Sequence, residues 1–503
     1  MCLAVATVAE TIVIRYFLAL CWLLIGACHV TAQAELLPAV ADSLDSAQLH
    51  QKRAIEVFLP KEPEKEPQRR YETIYVLDGD WNAKLVVQTV DFLQATGWMP
   101  PVIVVSVPNV VDGKGVNSRD HDLSPSPQPN LQNSGGALQF MAFLKSELIP
   151  YINQHYPSSG VNLAHGHSLG GVFLNFVIAT DPTIFDGYVA LDPAMWRGNN
   201  EVSKLLAEKL PWTPTQDKGI FVAGRDGKAF KGMGIDTLSL AYEKAAHALY
   251  WKIAAYPNET HDSLKYKASY DGLRYLYLGY SQEKLSIGPD GGIVDPSLPF
   301  PLEADTDRFD IHYTTNGSIP TVDSPLMNQS LAVTDPASLR LKSIATRSRY
   351  DVDLALHLKT GSMWKPASAT KAGEIRSNSY AIYAPDQWPH FRGAPTQSGK
   401  TDEGDLTKAG SHDFAGIVEN DYVIPEDGYY LFVLDTPQPV RLTLDGKRII
   451  EHAVADARSH RTFAVPLRAG LHRTRLEFLY RKGGQFDFNV FHYKNGTWDN
   501  VVK

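Results

Sequence analysis

The chain has 503 residues, with 48 Lys and Arg against 56 Asp and Glu, 44 % apolar and 21 % charged residues. This is ordinary globular composition, which excludes a wholly disordered, collagenous or coiled-coil chain, and at about 100–200 residues per domain it corresponds to two to four domains. A net charge of −8 gives no basic footprint for nucleic acid, and the only cysteines, Cys2, Cys21 and Cys28, all precede residue 29, so thiol catalysis and disulfide stapling are excluded for the later chain.

Tyr16–Cys28 is an uncharged, largely apolar run with Arg15 just ahead of it. A spanning helix needs about 20 apolar residues, so the run reads as the core of an export signal, with Ala32–Ala34 as a small-x-small cleavage site. A second reading is a lipoprotein signal, because Leu24–Cys28 (LIGAC) resembles a lipobox in which Cys28 would carry a lipid anchor. The first reading assigns residues 1–34 to a signal, the second ends the signal at Cys28, and both place the protein in the periplasm or outside the cell.

Residues 35–285 alternate short β-rich runs with helical patterns, the signature of βαβ units and a mostly parallel sheet. Strands are expected at Ile55–Leu59, Thr73–Leu77, Val102–Val107, Val161–His165, Tyr188–Asp192, Gly219–Ala223 and Trp251–Tyr256. Met141, Leu144, Leu148 and Ile152 recur at helical spacing and predict a helix over Ala137–Ile152. The long link Pro108–Ser134 is rich in Pro, Ser, Asn and Asp, and links of that length are often functional.

Beyond residue 285 the helical period disappears and short alternating strands take over. Ile311–Thr321, Leu339–Thr346 and Val352–Leu358 predict an immunoglobulin-like sandwich over 290–390. After the Gly, Ser and Lys-rich stretch Gly393–Ser411, strand pairs such as Tyr422–Asp435 and Val440–Ile450 predict a second sandwich over 391–503. Asp445-Gly446 is a hairpin signal. The fold class is α/β, followed by two all-β sandwiches.

The string Leu163–Phe173, LAHGHSLGGVF, contains Gly166-His167-Ser168-Leu169-Gly170. A nucleophile on a tight strand-to-helix turn needs small neighbours two residues either side, and here a β-run precedes the motif while an apolar helical run follows. Ser168 is the expected nucleophile. A serine needs a base, and His261 falls just after the last β-run of this region. His165 and His167 flank the nucleophile and read as packing or pocket-wall residues. For the acid, Asp226 follows the run Gly219–Ala223, the usual position for the carboxylate that orients the imidazole. Asp192 is the alternative acid, Asp236 and Glu259 are weaker ones, and a Ser-His dyad stays open. Two oxyanion donors are expected, the amide of Leu169 and that of Asp80 or Trp81, where Gly79 permits close approach. Trp196 is a candidate substrate-binding residue. No P-loop, G-x-G-x-x-G or H-E-x-x-H occurs, so neither cofactor nor metal is expected.

LDGDWN, RDHDLSP (Arg119–Pro125), Gly135–Ile152, GHSLGG and ETHDSL stand in an order that resembles the esterase D and enterochelin-esterase-like group of α/β-hydrolases. That resemblance, over roughly residues 40–285, implies Ser168 as nucleophile and His261 as base. Many members have Ser-Pro where this chain has Asp192-Pro193, which places a second carboxylate near the base loop. IHYTTNGSIPTVDSPL resembles the C-terminal domain of chitobiases, and the segment from about Asp413 resembles protective-antigen-type sandwiches. Members of the latter that bind sugar through calcium commonly use adjacent aspartates on one loop, and residues 390–503 contain no Asp-Asp pair, so calcium-dependent sugar binding is not expected. The resulting expectation is a secreted serine esterase acting on acyl groups of a carbohydrate, of feruloyl or acetyl type. The alternatives are a siderophore esterase and an inactive glycan-binding surface protein.

Overall fold

The computed structural model describes residues 39–60, 68–129, 131, 133–210, 217–244, 249–280, 285, 287–304, 306, 309–366, 376–380, 391, 394–400, 413–452, 460–481 and 486–501. The expected signal 1–34, Cys28 included, lies outside them. The chain divides into two compact units, one ending at Tyr277 and the other beginning at Leu278, close to the change of pattern at residue 285.

The first unit is built on β1 (Val40–Ser46), β2 (Gln51–Phe58), β3 (Tyr71–Leu77), β4 (Val102–Val107), β5 (Ser158–His167), β6 (Gly187–Leu191), β7 (Gly219–Arg225) and β8 (Tyr250–Tyr256). They form one sheet in the order β1-β2-β4-β3-β5-β6-β7-β8. The β1–β2 and β2–β4 pairs are antiparallel and the rest are parallel. Strands β3, β4 and β6 are buried along their whole length, as parallel strands covered by helices on both faces must be. Strand β2 alternates buried and exposed residues near the sheet edge, the period-2 pattern of a half-covered strand.

The helices are α1 (Gly79–Ala95), α2 (Arg119–Leu123), α3 (Ala137–Phe143), α4 (Ile149–His155), α5 (Leu169–Thr180), α6 (Glu201–Lys209), α7 (Gly227–Gly232), α8 (Ile235–Lys244) and α9 (Leu264–Leu276). The expected single helix over Ala137–Ile152 is interrupted: a wide π turn at Leu144–Leu148 separates α3 from α4. Pro150 has no N–H to return to the preceding turn, so the regular ladder breaks there. Helix α5 is buried from Leu169 to Ala179, and its apolar surface continues all round. Asp78, Ser168, Asp192 and His261 follow the C-terminal ends of β3, β5, β6 and β8, and Arg225 ends β7. Open parallel sheets collect their ligands and chemistry at this end.

The second unit contains β9 (Ile287–Gly288), β10 (Gly291–Val294), β11 (Phe300–Ala304), β12 (Ile311–Thr314), β13 (Ser330–Val333), β14 (Arg340–Ser343), β15 (Val352–Leu354), β16 (His357–Thr360), β17 (Arg376–Tyr380) and β18 (Gln397–Lys400). It continues with β19 (Phe414–Ile424), β20 (Gly428–Asp435), β21 (Val440–Leu444), β22 (Lys447–His452), β23 (His460–Leu467), β24 (Gly470–Tyr480), β25 (Asp487–Lys494) and β26 (Thr497–Asn500). Two six-stranded sheets, β16-β10-β23-β20-β25-β26 and β18-β17-β19-β24-β21-β22, enclose a core that includes Tyr430, Phe432, Leu442, Val465 and Phe478. Asp445 (φ 47°) and Gly446 (φ 76°) form the expected two-residue turn between β21 and β22.

The expectation of two separate sandwiches, 290–390 and 391–503, is corrected. Strand β10 lies between β16 and β23, parallel to both, and β17 pairs with β19. Val294, Phe300, Leu302 and Leu341 share one core with Tyr429 and Ala464. A Cβ on Gly292 would come within 2.8 Å of Ala464 O, so a side chain is excluded where the two segments meet. Residue 390 is therefore not a domain boundary. Fragments 278–390 and 391–503 expressed apart should each lack a cooperative melting transition, and co-expression should restore one. A sharp transition for 391–503 alone would contradict this.

Candidate active site

Strand β5 ends at His167 and α5 begins at Leu169, leaving Ser168 alone at the corner with φ 57° and ψ −113°. A non-glycine residue in this region is strained and persists only where its surroundings fix it. The surroundings are specific. The Ser168 N–H donates to Leu191 O at 2.8 Å, and a Cβ on Gly166 would lie 2.6 Å from the carbonyl carbon of Gly170. On Gly171 it would lie 3.0 Å from Pro193 Cβ. Gly166, the first glycine of G-x-S-x-G, is thus required by clearance and Gly171 sits in a tight one, whereas a Cβ on Gly170 would meet nothing nearer than 3.5 Å.

His261 Nδ1 donates to Asp192 Oδ2 at 2.6 Å. Asp192 is fully buried, has φ 38°, and is anchored across the end of β7 by its N–H to Ala223 O at 2.7 Å. Arg225 Nε donates to the same Oδ2, also at 2.6 Å. Burial would raise the Asp192 carboxyl, but the hydrogen bonds from His261 and Arg225 outweigh it and hold the group below the usual aspartate range.

Asp226, expected beside His261, is not there. It is exposed at the N-terminus of α7, with its N–H on Tyr256 O at 3.2 Å. Strand β7 carries Arg225 to the site and leaves the next residue outside it. The weaker candidates are engaged locally: Asp236 accepts the Thr237 amide and Glu259 accepts Ser263 Oγ.

Ser168 and His261 line one cleft of about 270 Å³ together with Trp81, Asn82, Arg119, His167, Asp262 and Lys265. Trp81 is 57 % exposed. The Arg119 guanidinium lies 5.3 Å from its ring centre and donates to both oxygens of buried Asp78, at 2.8 and 2.9 Å. Helix α2, which carries Arg119, is fastened by Asp122 to Arg53 at 2.7 Å, both buried. Of the two expected oxyanion amides near Gly79, that of Trp81 already donates to Asp78 O at 2.9 Å, which leaves Asp80. A Cβ on Gly79 would stand 2.3 Å from Ser106 Oγ, so the close approach expected there is real. Trp196 is exposed, with Arg197 against its ring, and is not among the cleft-lining residues. Among the described residues no group of three His, Cys, Asp or Glu is placed to hold a metal.

His167 does more than line the wall. Its Nε2–H donates to the backbone carbonyl of His261 at 2.8 Å, and the two rings lie tilted at 43° with centres 4.3 Å apart. His165 is buried with Nε2 2.8 Å from Ser269 Oγ. Sequence signalled neither pairing, because both partners lie about a hundred residues away on another element.

The strand order and the Ser168 corner define the first unit as an α/β-hydrolase. Residues 46–262 match the family described as "Putative esterase". Residues 300–353 match the family described as "Fn3 associated". The chain is 28 % identical over 150 residues to a siderophore enterobactin esterase of Emericella nidulans, covering 26 % of this chain and 48 % of that protein. It is 27 % identical over 180 residues to the ferri-bacillibactin esterase BesA of Bacillus subtilis, covering 33 % and 62 %. The chain thus spans only about half to three-fifths of the length of these relatives. Among solved structures it is similar to an IroE-like serine hydrolase from Shewanella oneidensis, 26 % identical with a TM-score of 0.44, covering 49 % of this chain and 82 % of that one.

The histidines beside Ser168 make a testable contribution to stability. Burial, with His167 nearby, lowers His165 to about 3. Burial, with His261 nearby, lowers His167 to about 4. Unfolded histidine titrates near 6.5, at about the model-peptide value. Below that pH the unfolded chain takes up protons that the folded chain refuses, so stability present above about 6.5 is lost as pH falls toward 4. The melting temperature of the first unit should fall between pH 7 and pH 4.5, and His165→Gln should flatten that fall. An unchanged slope in the variant would contradict the assignment.

Proposed function

We propose that the first unit hydrolyses carboxylic esters through an acyl-enzyme on Ser168. The observation that carries this is the 2.6 Å bond from His261 Nδ1 to buried Asp192, in the cleft that the strained Ser168 also lines. In this reading Ser168 Oγ attacks the ester carbonyl carbon while His261 Nε2 takes the hydroxyl proton. Asp192 holds the imidazole in its Nδ1–H tautomer and stabilises the imidazolium. The oxyanion takes the amides of Leu169 and Asp80, which open α5 and α1 and have no acceptor within their own helices. Collapse expels the alkoxide, which receives the proton from His261, and water then repeats the sequence to release the acid. The acid in this triad is Asp192 rather than Asp226.

The substrate we propose is an ester whose acyl side carries an aromatic ring. Trp81 offers an open indole on the cleft wall, with Arg119 fixed against it for a polar ring substituent. Feruloyl groups on a carbohydrate and catechol-bearing siderophore lactones share this chemistry. The β-rich second unit supports the first source, and the names of the two curated relatives support the second. An extracytoplasmic setting belongs to the same proposal and is supported by the Tyr16–Cys28 run and Ala32–Ala34.

Turnover of p-nitrophenyl acetate, methyl ferulate, a feruloylated oligosaccharide and a catecholate trilactone tests this. Ser168→Ala should lose about 10⁴–10⁶ in kcat, and Asp192→Asn about 10³–10⁴. Asp226→Asn should stay within about tenfold, and Trp81→Ala should raise KM for aromatic acyl esters more than for the acetate. Ser168→Ala activity within tenfold of wild type would overturn the nucleophile. A crippled Asp226→Asn beside an active Asp192→Asn would overturn the acid, and no turnover of any ester would favour an inactive binding protein.

A further inference from the structure

The carboxylate that orients His261 is shared with a second donor. Asp192 Oδ2 receives His261 Nδ1 and Arg225 Nε, each at 2.6 Å. The Arg225 amide points at the other oxygen, Oδ1, at 3.4 Å. Asp192 is fully buried, whereas the Arg225 side chain keeps a quarter of its surface in solvent. The two donor nitrogens are about 5 Å apart at most, where the like charges of a guanidinium and an imidazolium repel appreciably in a partly dry site.

We propose that Arg225 is a positioning residue that takes part of the Asp192 charge and thereby sets how readily His261 holds a proton. The inference rests on the ester-hydrolase reading for its catalytic consequence, though not for its chemistry. With Arg225 in place, Asp192 divides its negative charge between imidazolium and guanidinium, so protonated His261 gains less from the pair. The base then stays free to lower pH. Arg225 also gives Asp192, whose backbone is left-handed (φ 38°) and anchored to Ala223 O, a second side-chain tether beside His261.

Other charged and titratable groups face His261, and none repeats this role. His167, from the end of β5, lies tilted against its ring and is kept neutral by burial. Asp262 and Lys265 are paired with each other at 3.1 Å. Arg119, elsewhere in the cleft lining, is committed to Asp78.

Arg225→Gln removes the charge and keeps a donor, while Arg225→Lys keeps the charge and loses the planar fork. Two readouts apply to the full chain: the pH profile of kcat/KM on p-nitrophenyl acetate, and hydrogen–deuterium exchange at the imidazole C2 of the His261 peptide by mass spectrometry. In Arg225→Gln the acid limb and the exchange midpoint should both move to higher pH by about half a unit or more, roughly a threefold loss of kcat/KM on that limb. In Arg225→Lys both should stay within about 0.2 units of wild type. Circular dichroism checks folding, and Arg225→Met replaces the Gln variant if that one is compromised. An unmoved midpoint in the neutral variant, or an equal shift in Arg225→Lys, would overturn the proposal. The exchange readout needs no turnover. A shifted midpoint in a protein inert toward every ester would support the Arg225 role and refute the esterase reading, whereas turnover with no shift would do the reverse.

Discussion

Ser168 occupies a backbone conformation that a serine reaches only at a cost, and the first unit is arranged so that it has nowhere else to go. Its amide is tied to Leu191 O, and its carbonyl accepts the amides of Val172 and Ala194. Gly166 and Gly171 remove side chains that would collide with α5 and with Pro193. Strain of this kind typically costs about 1–3 kcal/mol and survives only inside a rigid frame. The frame is the run of parallel strands from β4 to β8, whose central members are buried on both faces.

The same frame delivers the partners. Strand β6 lies beside β5, so the residue after β6, Asp192, stands one strand from the nucleophile, while β8 brings the loop that carries His261. The hydrogen bond from His261 to Asp192 spans 69 residues of sequence and closes the site. Two more contacts hold the His261 loop from the β5 side, the His167 bond to the His261 carbonyl and the tilted contact of the two rings. Helix α2 enters the cleft from a long link, and the buried Arg53–Asp122 pair keeps it there. Removing one member of such a pair would strand a buried charge, which is expensive.

The placing of Ser168 and His261 on one cleft was legible because their surroundings are local: a β-run, small residues at fixed offsets, an apolar run, and a histidine after the last strand. The acid was not. Asp192 and Asp226 both follow β-runs, and the usual position favours Asp226. What separates them is the backbone at Asp192, bent to φ 38° and anchored to Ala223 O, and the burial that follows. Neither leaves a mark on sequence. The Asp192-Pro193 departure from Ser-Pro was the one available signal. In the second unit the individual strands were legible from alternation, but the pairing of Gly291–Gly292 with Phe463–Ala464 joins residues that no local pattern connects. An assumed boundary at 390 was the consequence.

The account stands on Ser168 being a nucleophile activated through His261 and Asp192. Labelling with a fluorophosphonate, followed by peptide mass spectrometry, addresses this without knowledge of the natural ester. The account predicts a stoichiometric adduct on Ser168 in the wild-type chain, with labelling slowed at least about a hundredfold in Asp192→Asn and unchanged within about threefold in Asp226→Asn. An adduct on another serine, or labelling of Ser168 at the same rate in all three proteins, would contradict it.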